Sequence, residues 1–257
     1  MLLLGSVVGI MAGLLGIGGG LIVVPALMFF LLPMAGIEPS IAMQIALATS
    51  LASIIVTSGS SAYNHFKLGN VDMFVVKWLM PGVVIGGFLG ANVAEWIPSQ
   101  YLPKVFGVIV LCLAVQMLFS IRGKSQRQMP GSGATMSIGT GIGMISSLAG
   151  IGGGSLSVPF LNRHGIEMRK AVGSSSVCGC FIALSGMLGF IFHGYKAEAL
   201  PAYSLGYVYL PALIGITSTS MLTTRIGARL ASTMPTATLK KIFALFFLMF
   251  VAGTMLL

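Results

Sequence analysis

Charge is what this sequence has least of. Asp, Glu, Lys and Arg together make up 7% of its 257 residues, and only five of them are acidic. A soluble domain carries about 25% charged residues. This chain therefore cannot cover a water-exposed surface. Histidine and cysteine are also scarce, at three each. Cys112, Cys178 and Cys180 all fall in apolar stretches, and the step of two from Cys178 to Cys180 puts them on different helix faces. That excludes a disulfide framework or a cysteine metal site and reads as small buried side chains. The acidic residues Glu38, Asp72, Glu95, Glu167 and Glu198 sit at segment ends, and so do His65, His164 and His193. Proton and sodium pumps bury carboxylates inside the membrane, and none stands there. Paired carboxylates, His/Cys clusters and Ser/His/Asp sets are missing too, so neither an enzyme nor a cofactor is expected.

What is present is apolar. Hydrophobic residues make up 56% of the chain, and its mean hydropathy is +1.00. Eight hydrophobic segments follow one another, at 1–33, 40–64, 71–97, 101–121, 135–162, 169–193, 202–230 and 237–257. Stretches of 20 or more apolar residues are the spanning signature. Met1-Leu-Leu-Leu lacks the basic region of a signal peptide, so we read it as mature structure. The net charge of +9 is scattered between the segments. That pattern suits contact with membrane lipid and not with nucleic acid.

A glycine run occurs twice. Leu14-x-Gly16-Ile17-Gly18-Gly19-Gly20-x-x-x-Val24-Pro25-x-Leu27 returns as Leu148-x-Gly150-Ile151-Gly152-Gly153-Gly154-x-x-x-Val158-Pro159-x-Leu161, with nine of fourteen positions identical at an offset of 134. Glycine costs a helix roughly 1 kcal/mol per residue relative to alanine, so each run should break its segment. The repeat continues beyond the motif. Ala46-Leu-Ala-Thr49-Ser50 pairs with Ala171-Val-Gly-Ser174-Ser175, and Gly69-x-Val71 pairs with Gly206-x-Val208. The polar stretch 122–134 is the only turn-rich linker. It separates a first repeat, 1–121, from a second, 135–257.

Basic residues discriminate between topologies. If all eight segments cross, alternate loops hold 8 and 6 of the Lys and Arg residues, which sets no orientation. If each glycine-broken segment enters and leaves on one side as a hairpin, every basic residue except Lys104 and Lys196 falls on one face, 12 against 2. The positive-inside rule favours the second arrangement. We therefore expect an all-α polytopic membrane protein built from two inverted repeats. Each is a re-entrant, glycine-broken helical hairpin plus three spanning helices. The 122–134 linker is then cytoplasmic, and both termini face outward.

Broken helices at matching places in two halves point to a transporter's binding site. The half-helix after each run starts with free N–H groups and the positive end of its dipole, a place for an anion that needs no cation. The residues expected to bind are Gly18, Gly19, Gly20, Gly152, Gly153 and Gly154. The simpler alternative is that the glycines only let helices pack closely. Ser155 and Ser157 follow the second run where Leu21 and Val23 follow the first, so the second copy is expected to hold more of the ligand. Thr49 and Ser50, and at the matching place Ser174 and Ser175, add hydroxyls. Ser50, Ser53, Thr57, Ser60 and Asn64 step by three and four along one helix face, which reads either as a path lining or as packing.

The doubled Gly-x-Gly-Gly-Gly-x-x-x-x-Pro motif, each copy followed by a small-x-small-Thr/Ser-Ser helix, resembles the TauE/SafE family of sulfite and organosulfonate exporters. The resemblance covers nearly the whole chain. Ala48 stands where a glycine would be expected. It implies a bacterial-type, multi-pass inner-membrane permease for sulfite, sulfoacetate or related small anions. A channel-like anion pore is the chief alternative, and an importer coupled to a further ion is another. The expected partners are the small anion and membrane lipid, and a homodimer stays open as the assembly.

Overall fold

The computed structural model describes residues 20–31, 33, 36–118, 128–197, 200–219 and 223. Gly18, Gly19, residues 122–127 of the linker and the segment 237–257 lie outside the described residues, as does most of 220–230.

Helix α1 is Gly20–Ala26, and it opens into a π turn, Leu27–Leu31, directly after Pro25. Proline has no N–H to give the preceding turn, so this is where the ladder loosens. Helix α2 runs Pro39–Lys67 and begins on proline, the residue preorganised for a first turn. Helix α3 is Met73–Trp96, capped by Asp72, whose carboxylate accepts from the N–H groups of Phe74 and Val75. Helix α4 is Leu102–Leu118. Helix α5, Ser132–Leu148, and α6, Gly154–Arg163, flank the second glycine run, and α7 is Met168–Gly194. A short apolar helix, α8, covers Leu210–Thr219. Three of these, α2, α3 and α7, are long and apolar enough to cross a membrane, at 29, 24 and 27 residues.

Two boundaries differ from the sequence expectation. Helix α5 starts at Ser132, inside the stretch read as linker, because Pro130 and Gly131 end the turn region earlier. The segment 202–230 opens with a two-stranded antiparallel ribbon, β1 Ser204–Leu205 and β2 Val208–Tyr209, before it becomes helical. The fold is therefore mostly, not wholly, helical.

Helices α3 and α5 run side by side in the same direction at very close range. Side chains at Gly82, Gly86 and Gly90 would strike the carbonyls of Met136, Thr140 and Met144, and Gly139 and Gly143 do the same in reverse. Small residues four apart are what let membrane helices approach so closely. Helix α7 lies along α3, also parallel, with Gly87 against Ser185 and Gly189 against Ala91. It is antiparallel to α2, where Ser61 bonds Ser176 and Gly59 faces Cys180.

After Gly153 the chain turns back. Leu161 near the end of α6, Val75 at the start of α3 and Ala171 at the start of α7 form one cluster, and Met129, just before α5, packs against it. Both ends of the α5–α6 hairpin thus meet at one end of the bundle. Helix α1 goes the other way. Met28 and Phe29 of the π turn that follows it line a cleft with Met43 of α2, Pro98 of the α3–α4 connection and Lys104 of α4.

The surface sorts into bands. Phe88, Leu89, Val108, Leu111, Phe181 and Leu188 are exposed between the ends. Tyr63 and Trp78 mark one end, and Trp96, Tyr101, Tyr195 and Tyr203 the other. Aromatic belts at two levels are the pattern of a membrane-spanning surface. Among the described residues, Lys67, Lys77, Arg163, Arg169 and Lys170 lie at the first end and Lys104 and Lys196 at the second. Lys67 sits 4.5 Å from the Tyr63 ring centre, and Lys104 sits 5.8 Å from that of Tyr101.

Candidate functional site

The second glycine run breaks the helix in two steps. Gly150 (φ 57°) ends α5, with the Gly150 N–H donating to Ser147 O and the Ile151 N–H to Ser146 O. This pair of bonds is the Schellman arrangement, which needs a left-handed residue at that place. Gly153 (φ 71°) then caps α6 without a side-chain bond. An ordinary residue loses about 1–2 kcal/mol in the left-handed region, so both positions call for glycine. The first bonds into α6 are from Leu156 and Ser157 to Gly153 O. The N–H groups of Gly154 and Ser155 therefore have no partner within the helix.

Hydroxyls converge on this turn. A methyl group placed on Gly153 would lie 3.3 Å from Ser146 Oγ and 3.7 Å from Ser157 Oγ. One on Gly154 would lie 3.7 Å from Ser175 Oγ. Ser146 and Ser157 are fully buried and Ser175 is 3% exposed. None of the three has a hydrogen-bond partner among the described residues. A buried hydroxyl without a partner costs about 1–3 kcal/mol, and native structures keep few of them. Three of them surround one helix start. Ser155 Oγ is also unpartnered, on a residue less buried than Ser157. Ser147 is unpartnered too but packs away from the turn, between Gly90 and Gly186.

The first half of the chain reaches the same place. Gly20, at the start of α1, lies against Gly150 O and Ile151, and Ser50 donates its hydroxyl to Gly150 O at 2.8 Å. Ile54 touches both Gly20 and Gly152. The expected site residues thus divide. Gly20, Ser50, Gly152, Gly153, Gly154, Ser157 and Ser175 come together. Thr49 and Ser174, each one residue before a site serine and so on another helix face, hold loops, Thr49 accepting from the Tyr209 N–H at 3.0 Å and Ser174 from the Asp72 N–H at 2.9 Å. On the hydroxyl stripe, Ser53 and Thr57 bond carbonyls of their own helix, and Ser60 and Asn64 are exposed. Ser146 is the addition that sequence reasoning missed. It precedes the run by four residues, and the reasoning applied to Ser155 and Ser157 reaches it once hydroxyls on both sides of the break are considered.

No group of three or more metal-ligating side chains occurs among the described residues. Cys178 is buried among Leu79, Val83, Ile142 and Ile182, a packing position. At the Lys104 end, the Tyr207 hydroxyl donates to Glu95, and burial together with that carboxylate pushes the phenol up to about 12, so it remains a donor.

Residues 1–255 match the family described as sulfite exporter TauE/SafE. The chain belongs to the TauE/SafE family. A probable membrane transporter protein of Haemophilus influenzae is 43% identical over 247 residues, covering 95% of this chain and 93% of that protein. The probable membrane transporter protein YdhB of Bacillus subtilis is 29% identical, covering 97% and 96%. A probable membrane transporter protein of Methanocaldococcus jannaschii is 26% identical, covering 90% and 85%. No solved structure matches the chain. As a TauE/SafE member with apolar membrane-length helices, it is a multi-pass membrane protein of transporter type.

Proposed function

We propose that this protein exports small sulfur-containing anions such as sulfite or organosulfonates across the inner membrane, and that it holds the anion at the start of α6. The observation that carries the reading is the trio Ser146, Ser157 and Ser175, buried and unpartnered around the free N–H groups of Gly154 and Ser155. Hydroxyls donate to an anion as readily as to water, and the α6 dipole adds about half a positive charge at that end. Irregular backbone at membrane depth is tolerated where it lines a cavity. The family supports sulfur oxyanions as the cargo. Export needs no coupling ion, since an anion leaving a negative interior gains about 2.3 kcal/mol per 100 mV.

We further read the chain as two inverted repeats, 1–121 and 135–257, with the linker cytoplasmic and the termini outward. Supporting this, α1 and α6 start side by side and run to opposite ends, and α2 is antiparallel to α7, its sequence counterpart. The basic end of the bundle then faces the cytoplasm. Membrane lipid is the partner of the exposed apolar band.

The test is counterflow. Proteoliposomes preloaded with unlabelled sulfite should accumulate labelled sulfite transiently, and thiosulfate, sulfate and organosulfonates ranked in the same assay give the cargo. Single-channel currents without counterflow would establish a pore instead.

A further inference from the structure

We propose that the cleft at the Lys104 end of the bundle is a second binding site, and that it takes alkylsulfonates, with the sulfonate on Lys104 and the hydrocarbon chain against Met28, Phe29 and Met43. The proposal deepens the export reading and rests on it for the class of cargo and for the outward side of that end. The cleft has a volume of about 550 Å³, within the range of small-molecule pockets. Its described lining offers two kinds of surface. Met28 and Phe29 of the π turn and the buried Met43 of α2 are apolar. Lys104 of α4, Gln100 of the α3–α4 connection and Ser40 of α2 are donors.

The polar side suits a negative group. Lys104 lies on the first turn of α4 and Ser40 on the first turn of α2. Two helix starts therefore open on the cleft beside an ammonium, and all three favour negative charge there. The Lys104 Nζ sits 5.8 Å from the Tyr101 ring centre, a contact that leaves its three N–H donors to a ligand. Glu38, just ahead of α2, is exposed, where salt and solvent screen its charge. Inorganic sulfite or sulfate uses the polar side alone. An alkylsulfonate covers both sides, and each methylene taken out of water there is worth about threefold in affinity. Helix α1 ties the cleft to the anion turn. Its first residue, Gly20, lies against Gly150 O, and the π turn at its other end lines the cleft. From Gly20 to Met28 is about 12 Å at the rise of a helix. On the export reading, the cleft is where an anion that has left the turn is next held, and chain-bearing anions are held longest.

The test is equilibrium binding of methane-, propane- and pentanesulfonate to the full-length protein in phosphatidylcholine nanodiscs, with empty nanodiscs as the blank. Affinity should rise about threefold per added methylene, and so at least about tenfold from methane- to pentanesulfonate. Lys104→Gln should weaken pentanesulfonate at least about threefold, and Met28→Gln should flatten the series. The series should keep its slope in Ser157→Ala, which alters the α6 turn and not the cleft. A flat series in the wild type, pentanesulfonate bound as tightly by Lys104→Gln, or a slope lost in Ser157→Ala overturns the second site. Phosphatidylglycerol added to the nanodiscs should weaken all three sulfonates alike through surface charge. Selective loss of pentanesulfonate would make the cleft a lipid seat and overturn the proposal too. Binding needs no flux, so the two readings fail separately. A flat series with sulfite counterflow intact strikes the cleft alone. Absent counterflow with a Lys104-dependent slope strikes the export reading and leaves the cleft a binding site.

Discussion

Ser50 and Gly150, a hundred residues apart, are joined by a hydrogen bond of 2.8 Å from the hydroxyl to the carbonyl. The bond fixes the long second helix to the glycine break of the other half. It also leaves the neighbouring N–H groups as the exposed polarity of the turn. The proposed site is therefore a joint product of both halves, and the chemistry it offers is that of donors.

Gly153 accepts a side chain poorly. Its φ of 71° is left-handed, and a methyl group there would come within 2.5 Å of Ile182 Cδ1. Gly153→Ala should lower counterflow at least tenfold and cost about 1–3 kcal/mol of stability. Gly153→Leu should abolish transport. Gly141, which has nothing within 4 Å, is the control, and Gly141→Ala should leave flux unchanged.

Ser157 should matter more than Ser155. Ser157 is fully buried with its hydroxyl beside Gly153, whereas Ser155 is only partly buried. A hydrogen bond to a charged ligand is worth about 1.5–3 kcal/mol, or roughly a tenfold or larger rise in Kd. Calorimetry with the best anion should show that rise for Ser157→Ala and for Ser146→Ala, and a smaller one for Ser155→Ala. Equal effects at Ser155 and Ser157 would move the anion toward the outer face of α6.

Thr49 and Ser174 should act on stability before affinity. Each accepts a loop N–H from the opposite half, Tyr209 and Asp72 respectively. Thr49→Val or Ser174→Ala leaves that N–H unpaired at a cost of about 1–3 kcal/mol. The melting temperature in detergent should fall by several degrees, while the anion Kd of the folded fraction changes less than threefold.

Topology can be read by labelling. In a background with Cys112, Cys178 and Cys180 replaced by alanine, Leu68→Cys and Met168→Cys should label from the cytoplasm. Gln100→Cys and Tyr203→Cys should label from outside. All four positions are exposed. Opposite-face labelling of positions 68 and 168 would refute the hairpin arrangement.

Much of this was legible along the chain. Gly150 to Gly154 marked the break because three glycines in a row cannot sustain a helix, and Ser157 stood on the first turn beyond it. The charge count, 12 against 2, favoured a hairpin in each half, and in the second half Met129, Val75, Leu161 and Ala171 meet in one cluster. Other features depend on what meets across the fold. Ser146 joins the site only because α6 folds back beside the end of α5, and no helical period reports a closure angle. Ser53 and Thr57 share a face with Ser50 but spend their hydroxyls on their own helix. The ribbon at 204–209 was hidden because it is only two residues a side and is followed directly by the apolar run of α8.

The reciprocal loop bonds of Thr49 and Ser174 bear on how such a chain arose and how it is made. Each half supplies the partner that the other lacks, so a half-length chain would leave a buried hydroxyl and a loop amide unmatched. During synthesis the first half must wait in the bilayer until Tyr209 has emerged before Thr49 is satisfied. Chains truncated before Tyr209 should therefore be cleared by quality control and not accumulate as partial carriers.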